Sequence, residues 1–365
     1  MTRSTLLALL ALVVPAALAV GSIAAPSTTA ALASAGASSP AVARTSGTAA
    51  VPPPGGAALV ATTGRGAGAV ESQKASRDRG ARVPSGFTEQ SIQLEGVRLN
   101  YVRGGSGPTL VLLHGYPQTW YMWRDLLPEL ARHYTVIAPD LRGAGQSSAP
   151  PTGYDKATMA ADVHQLLVRL RLETDVSLVG HDIGTMVAYA YAAAHPDQVR
   201  RLALTEAPIP DESLYAFPSL TPQGPGFWNF GFFSLQNGLP EDIIDGREHV
   251  WVEQFTDWLE VQDGVDSRDA REYARWLRDD AHLRASFEYF RALPQDVSDN
   301  EEFGRTALTM PVLALGAEGS LGQSVPDQVS RYASDVTAVV VADSGHWVFE
   351  EQPQRTTQIL LAFLD

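Results

Sequence analysis

Cysteine is absent from this 365-residue chain. That excludes disulfides, thiolate nucleophiles, cysteine-held metal and a lipid anchor on cysteine. Basic residues are scarce: 27 Lys and Arg stand against 41 Asp and Glu, and the formal charge of −14 disfavours nucleic acid or an anionic membrane as a partner. Long apolar runs are lacking too. Leu6 to Val14 is short for a membrane span and no stop-transfer pattern follows it, so no stable membrane anchor is expected. No dinucleotide-binding loop and no metal-ligand cluster is visible, so neither cofactor nor metal is expected. Gly104-Gly105-Ser106-Gly107 is too irregular to cradle phosphate and reads as a turn. Apolar residues still make up 45% of the chain, enough for a substantial core.

What is present divides unevenly. Arg3, the apolar run and Ala17-Leu18-Ala19 have the layout of a secretory signal, assigned to residues 1–25, so the mature chain is expected to be secreted. Residues 26–83 are mostly Ala, Ser, Thr, Gly and Pro, which cannot bury enough surface to offset the entropy of ordering, and read as a disordered linker. From Pro84, short β-branched runs alternate with helical patterns. The strands expected are Ser91 to Leu94, Arg98 to Val102, Thr109 to His114, Thr135 to Pro139, Val176 to Val179, Leu202 to Thr205, Val312 to Leu315 and Thr337 to Val341. Helices are expected at Met122 to Arg132, Lys156 to Leu172, Ile183 to Ala194 and Thr356 to Leu364. Such alternation predicts an α/β fold with a mostly parallel sheet and helices on both faces. Strand signal disappears across 209–307, where aromatic and charged helical segments predict a cap inserted between core segments 84–208 and 308–365. The cap would cover the strand ends where open α/β sheets bind ligands.

The sharpest chemical signal is Gly180-His181-Asp182-Ile183-Gly184, between the apolar run Val176-Ser177-Leu178-Val179 and a run of helix formers. Strand, Gly-X-nucleophile-X-Gly turn and helix form a nucleophile elbow, whose small end residues permit a strained turn that lifts the central side chain off the sheet. Here that side chain is a carboxylate. Its ester with an sp³ carbon points to epoxides or alkyl halides rather than esters or amides. Hydrolysis of that ester needs a general base, and His346, just past the last strand in Ser344-Gly345-His346-Trp347, stands where one is needed. An acid must orient the base. Glu206, directly at the end of the sixth strand, is favoured over Glu318 in its Gly-rich loop after the seventh. The oxyanion of the second step needs backbone donors, expected from the amides of Ile183 and of Tyr116 in His114-Gly115-Tyr116-Pro117. The Tyr116–Pro117 bond is a candidate cis peptide.

With these pieces the chain resembles the epoxide hydrolase branch of the α/β-hydrolase family, from about Val83 to Asp365. The resemblance rests on the loop at His114, the elbow, Gly345-His346-Trp347 and Asp140-Leu141-Arg142-Gly143-Ala144-Gly145-Gln146-Ser147. Within that branch it is most similar to secreted bacterial Cif-type epoxide hydrolases, through Gln118-Thr119-Trp120-Tyr121, Glu206-Ala207-Pro208-Ile209-Pro210-Asp211 and Ala285-Ser286-Phe287-Glu288-Tyr289. The resemblance implies the α/β-hydrolase fold with eight strands and a helical lid after strand 6. It also implies export, Glu206 as the acid, and hydrolysis of a small apolar epoxide to a diol. The substrate expected is a small neutral hydrophobic molecule, with water as co-substrate, and a homodimer is allowed.

One part of the pattern departs. The resemblance implies that the leaving oxygen is protonated by the Cif-type pair, a His after a lid Trp and a Tyr directly before an Arg, and the matching positions hold Asn229, after Trp228, and Phe290, before Arg291. Asn229 can donate a hydrogen bond but no proton, and Phe290 neither. Tyr289 and Tyr215 are the further candidate donors. This leaves dehalogenation of a haloalkane or haloacetate as an alternative, since halide needs no proton, and a binding protein that has lost turnover as another.

Overall fold

The aliphatic runs form strands because they are covered on both faces and their backbone groups pair only with neighbouring strands. The computed structural model describes residues 82–222 and 224–365. The signal and all but the last two residues of the linker expected from the sequence lie outside the described residues.

Eight strands build one sheet: β1 (Phe87–Gln93), β2 (Arg98–Gly105), β3 (Thr109–Leu113), β4 (Thr135–Pro139), β5 (Val176–His181), β6 (Val199–Thr205), β7 (Val312–Ala317) and β8 (Val336–Val341). Their order is β1-β2-β4-β3-β5-β6-β7-β8. β1 pairs antiparallel with β2, β2 antiparallel with β4, and every other pair is parallel. Every residue of β3, β4, β5 and β7 is buried. β1 begins earlier than its apolar signal, because Thr88, Glu89 and Gln90 sit on an exposed edge yet pair with Arg103, Val102 and Tyr101 of β2. Gly104 and Gly105, read as a turn, extend β2.

Helices α1 (Leu127–Leu130), α2 (Lys156–Leu170) and α3 (Ile183–Ala194) belong to the first part of the core; α10 (Ser324–Val329), α11 (Val348–Glu351) and α12 (Pro353–Leu364) belong to the second. α3 packs on α2 and lies against β3, β5 and β6. The single helix expected over Met122 to Arg132 is broken into a 3₁₀ turn, Trp120–Trp123, and the one-turn α1. Pro128 is the cause: its ring would collide with the Arg124 carbonyl in a continuous helix.

Between β6 and β7 the chain forms α4 (Trp228–Phe233), α5 (Leu239–Ile244), α6 (Glu248–Leu259), α7 (Ser267–Leu277), α8 (Asp280–Arg291) and α9 (Leu293–Phe303). Asp266 caps α7 through the Arg268 and Asp269 amides, and Asp279 caps α8 through those of Ala281 and His282. Polar contacts pin this insertion to the core. The Lys156 ammonium donates to Asp296 and to the Tyr289 carbonyl, both at 2.6 Å. The Tyr289 hydroxyl donates to the Arg142 carbonyl at 2.5 Å.

Candidate active site

β5 delivers Asp182 to the turn into α3. Its φ of 51° lies in the left-handed region, a strained setting for a residue with a Cβ, and the surroundings hold it there. The Thr185 hydroxyl donates to the Gly180 and Thr205 carbonyls at 2.8 and 2.7 Å, fastening the elbow to the end of β6. A Cβ on Gly184 would collide with the Leu113 carbonyl, and one on Gly115 with Asp182 itself. The motif glycines are therefore fixed by close approach as well as by the turn.

The two carboxylate oxygens of Asp182 face different partners. Oδ1 accepts the Tyr116 amide at 2.8 Å, and the Ile183 amide also bonds the carboxylate. Oδ2 lies 3.7 Å from Nε2 of His346. Burial raises the Asp182 pKa against the opposing pull of His346, the two amides and Lys156. The loop carrying Tyr116 is held by His114. Its Nε2 accepts the Leu141 amide at 2.9 Å, so Nδ1 carries the proton and donates to the Gly115 carbonyl at 2.9 Å. Burial lowers the His114 pKa to about 4, which keeps that ring neutral. The Tyr116–Pro117 bond is cis.

His346 donates from Nδ1 to Oε2 of Glu206 at 3.1 Å, and in the neutral ring Nε2 is left free to take a proton. Burial opposes the imidazolium. The Glu206 hydrogen bond and the charges of Asp182, Glu206 and Glu351 outweigh it, and the His346 pKa is raised above its ordinary 6.5. Glu206 also stands at positive φ, 53°, and its Oε1 accepts the Ala317 amide at 2.6 Å. Glu318 is exposed, accepts the Asp343 amide and does not touch His346.

Three residues that sequence reasoning passed over complete the surroundings. Glu351 accepts the amides of Gly345, Val261 and Gln262 on Oε2 and that of Trp347 on Oε1, which ties the His346 loop to the end of α6. His181 donates from Nε2 to the His346 carbonyl at 2.8 Å. Trp251 on α6 donates from its indole to the Tyr116 hydroxyl at 2.8 Å. Glu351 and Trp251 stood in no motif, and only the packing of α6 against the two loops brings them in; His181 stands in the elbow, at the end of β5, where the motif gave it no role.

The candidate leaving-group donors fare differently. Tyr289 is corrected: its hydroxyl is committed to the Arg142 carbonyl, because its place on α8 turns it to the core. Tyr215 is corrected as well, being 67% exposed on a 3₁₀ turn. Asn229 is buried on α4, and its carboxamide makes no hydrogen bond among the described residues. Phe290 packs on the Tyr116 ring, centroids 5.5 Å apart. No group of three or more His, Asp or Glu among the described residues is placed to hold a metal, and no described helix is long and apolar enough to cross a membrane.

Elbow, amide pair and a histidine-carboxylate pair on the ends of a mostly parallel sheet define the class. The chain belongs to the α/β-hydrolase family, whose model, described as the alpha/beta hydrolase fold, matches residues 108–353. Within it the chain falls in the epoxide hydrolase branch, and it is a hydrolase. It is 34% identical over 290 residues to a soluble epoxide hydrolase of Corynebacterium sp. (strain C12), covering 76% of this chain and 97% of that protein. It is 32% identical to a fluoroacetate dehalogenase of Burkholderia sp. over 294 residues, 76% of this chain and 94% of that one. The crystal structure of the Cif epoxide hydrolase from Acinetobacter nosocomialis superposes with a TM-score of 0.75 at 26% identity, covering 84% of this chain and 99% of that one.

Proposed function

We propose that the protein hydrolyses a small apolar epoxide to a diol through an ester on Asp182. The observation that carries this reading is the division of labour at the carboxylate: Oδ1 sits on the Tyr116 amide, with the Ile183 amide also on the carboxylate, while Oδ2 lies beside His346. Oδ2 attacks an epoxide carbon, the ring C–O bond breaks, and the freed oxygen takes a proton. Water then adds to the Asp182 carboxyl carbon as His346 Nε2 takes its proton, and Glu206 stabilises the imidazolium. Negative charge builds on Oδ1, already on the Tyr116 amide. Collapse releases the diol. The kinship with a soluble epoxide hydrolase supports the same reading.

The test is a trapped ester. His346→Gln protein incubated with 1,2-epoxyhexane should gain the mass of one epoxide on the peptide that holds Asp182, and Asp182→Asn should not. Failure of both trapping and diol formation across terminal, styrene-type and internal epoxides would overturn the reading. Carbon–halogen cleavage is the second reading, favoured by the uncommitted Asn229 carboxamide and the dehalogenase relative. Halide release from haloalkanes or fluoroacetate by protein inactive on epoxides would establish it. Export of the mature enzyme is proposed from the leader pattern of residues 1–25.

A further inference from the structure

We infer that the leaving-atom donor is the hydroxyl of Tyr116, on the loop that also supplies the oxyanion amide, with Asn229 as its neighbour and Trp251 as its support. The inference rests on the proposed epoxide chemistry and names the group that chemistry needs. The expected tyrosines are out of reach, one bonded into the core and one on the surface. Tyr116 begins at the carboxylate, since its own amide bonds Asp182 Oδ1, and it is 2% exposed. Its ring lies under the insertion, 5.0 Å from Phe233 and 5.5 Å from Phe290, the position where the family pattern has its donor.

The hydroxyl itself is half-satisfied. Its oxygen accepts the Trp251 indole N–H, so the phenol keeps its own proton, and no acceptor for that proton lies among the described residues. Burial first, and then the charge of Asp182, hold the proton on, while the Trp251 bond works in the other direction. A neutral phenol with a supported oxygen is suited to give a proton to an alkoxide and to wait as phenolate. Asn229 lies four residues before Phe233 on α4, hence on the same helix face as the ring that touches Tyr116. Its free carboxamide can donate to the same leaving oxygen.

The protons balance. As Asp182 Oδ2 bonds to carbon, the ring C–O pair goes to oxygen, which takes the Tyr116 proton. In the second step one water proton passes to His346 and on to the departing diol oxygen. The other, left on the regenerated Asp182 carboxyl, returns to the Tyr116 phenolate.

Alkylation can be timed alone in the His346→Gln background with 1,2-epoxyhexane, following adduct mass. Adding Tyr116→Phe keeps the ring and the amide, and should slow adduct formation about 10²-fold or more. Trp251→Phe should slow it about fivefold, the loss of one supporting hydrogen bond. Alkylation at the parent rate in Tyr116→Phe, or a loss no larger than that in Trp251→Phe, would overturn the assignment. If Tyr116→Phe does not fold, an unchanged alkylation rate in Trp251→Phe overturns it instead. Absence of any adduct in the His346→Gln parent removes the epoxide reading and this inference with it.

Discussion

On the proposed mechanism Glu206 and His346 make ester hydrolysis, rather than alkylation, the half of the reaction that responds to pH. Ester hydrolysis needs neutral His346, whose pKa is raised above 6.5. As pH falls the base is lost, so kcat should drop on the acid side; Asp182 carries no charge in the ester, so the Glu206 bond and the charges of Glu206 and Glu351 are what hold the midpoint up, measurable in a steady-state profile. Glu206→Gln removes the largest of the raising causes. It should move the midpoint to lower pH and lower the plateau on the order of 10²- to 10⁴-fold, since an amide neither fixes the tautomer nor balances the imidazolium. An unchanged midpoint would show that Glu206 does not act through His346. These residues were legible because each occupies a fixed strand end: a turn flanked by glycines, a carboxylate directly after β6, a histidine just past β8. The donor was not. Whether Tyr289 or Tyr116 faces the carboxylate depends on the rotation of α8 and the descent of α6, which no local spacing in the chain specifies.

Between residue and molecule stands the loop 344–347, held more by one side chain than by its own turn. Glu351 accepts four backbone N–H groups, two from the loop and two from the end of α6, and the His346 amide donates to the Leu259 carbonyl at 2.9 Å. Glu351→Gln preserves shape but presents N–H to N–H. Unsatisfied buried donors of this kind cost about 1–3 kcal/mol each, so Tm should fall by roughly 3–10 °C. His346 should also lose its aim, lowering kcat for ester hydrolysis more than the rate of alkylation. Calorimetry and single-turnover kinetics together check this, and a lower Tm with both steps intact would make Glu351 purely structural. The elbow makes the opposite case, in which sequence suffices: Gly184→Ala should prevent folding, because the added methyl meets backbone carbonyls that cannot yield. Element identity was legible wherever period and punctuation agreed, as in α3. It failed at Met122 to Arg132, where an apolar helical pattern hid the break at Pro128.

Across the whole molecule, the N-terminal leader and the union of insertion with core make separate demands. Exported protein should have an intact mass that begins near Val20 or Pro26, and recovery of Met1 on secreted material would end the leader proposal. The union depends on charges buried at the joint. Arg124, in the turn after the Trp120–Trp123 segment, donates to Glu350 of α11 at 2.6 Å and to Asp269 of α7 at 2.5 Å. Tyr273 of α7 donates to the same Glu350 oxygen at 2.6 Å, and Gln118 bonds its other oxygen. Glu350's side chain is 1% exposed, so solvent cannot replace a missing partner. Arg124→Met should therefore cost about 3–5 kcal/mol by leaving two carboxylates uncompensated. Glu350→Leu strands the guanidinium less severely, because Asp269 remains. The double variant should cost less than the sum of the two by about 1 kcal/mol or more, read from denaturant unfolding. Additivity to within about 0.5 kcal/mol would mean that the pair does not act as a unit, and that the insertion is held to the core by its other polar contacts and its apolar ones.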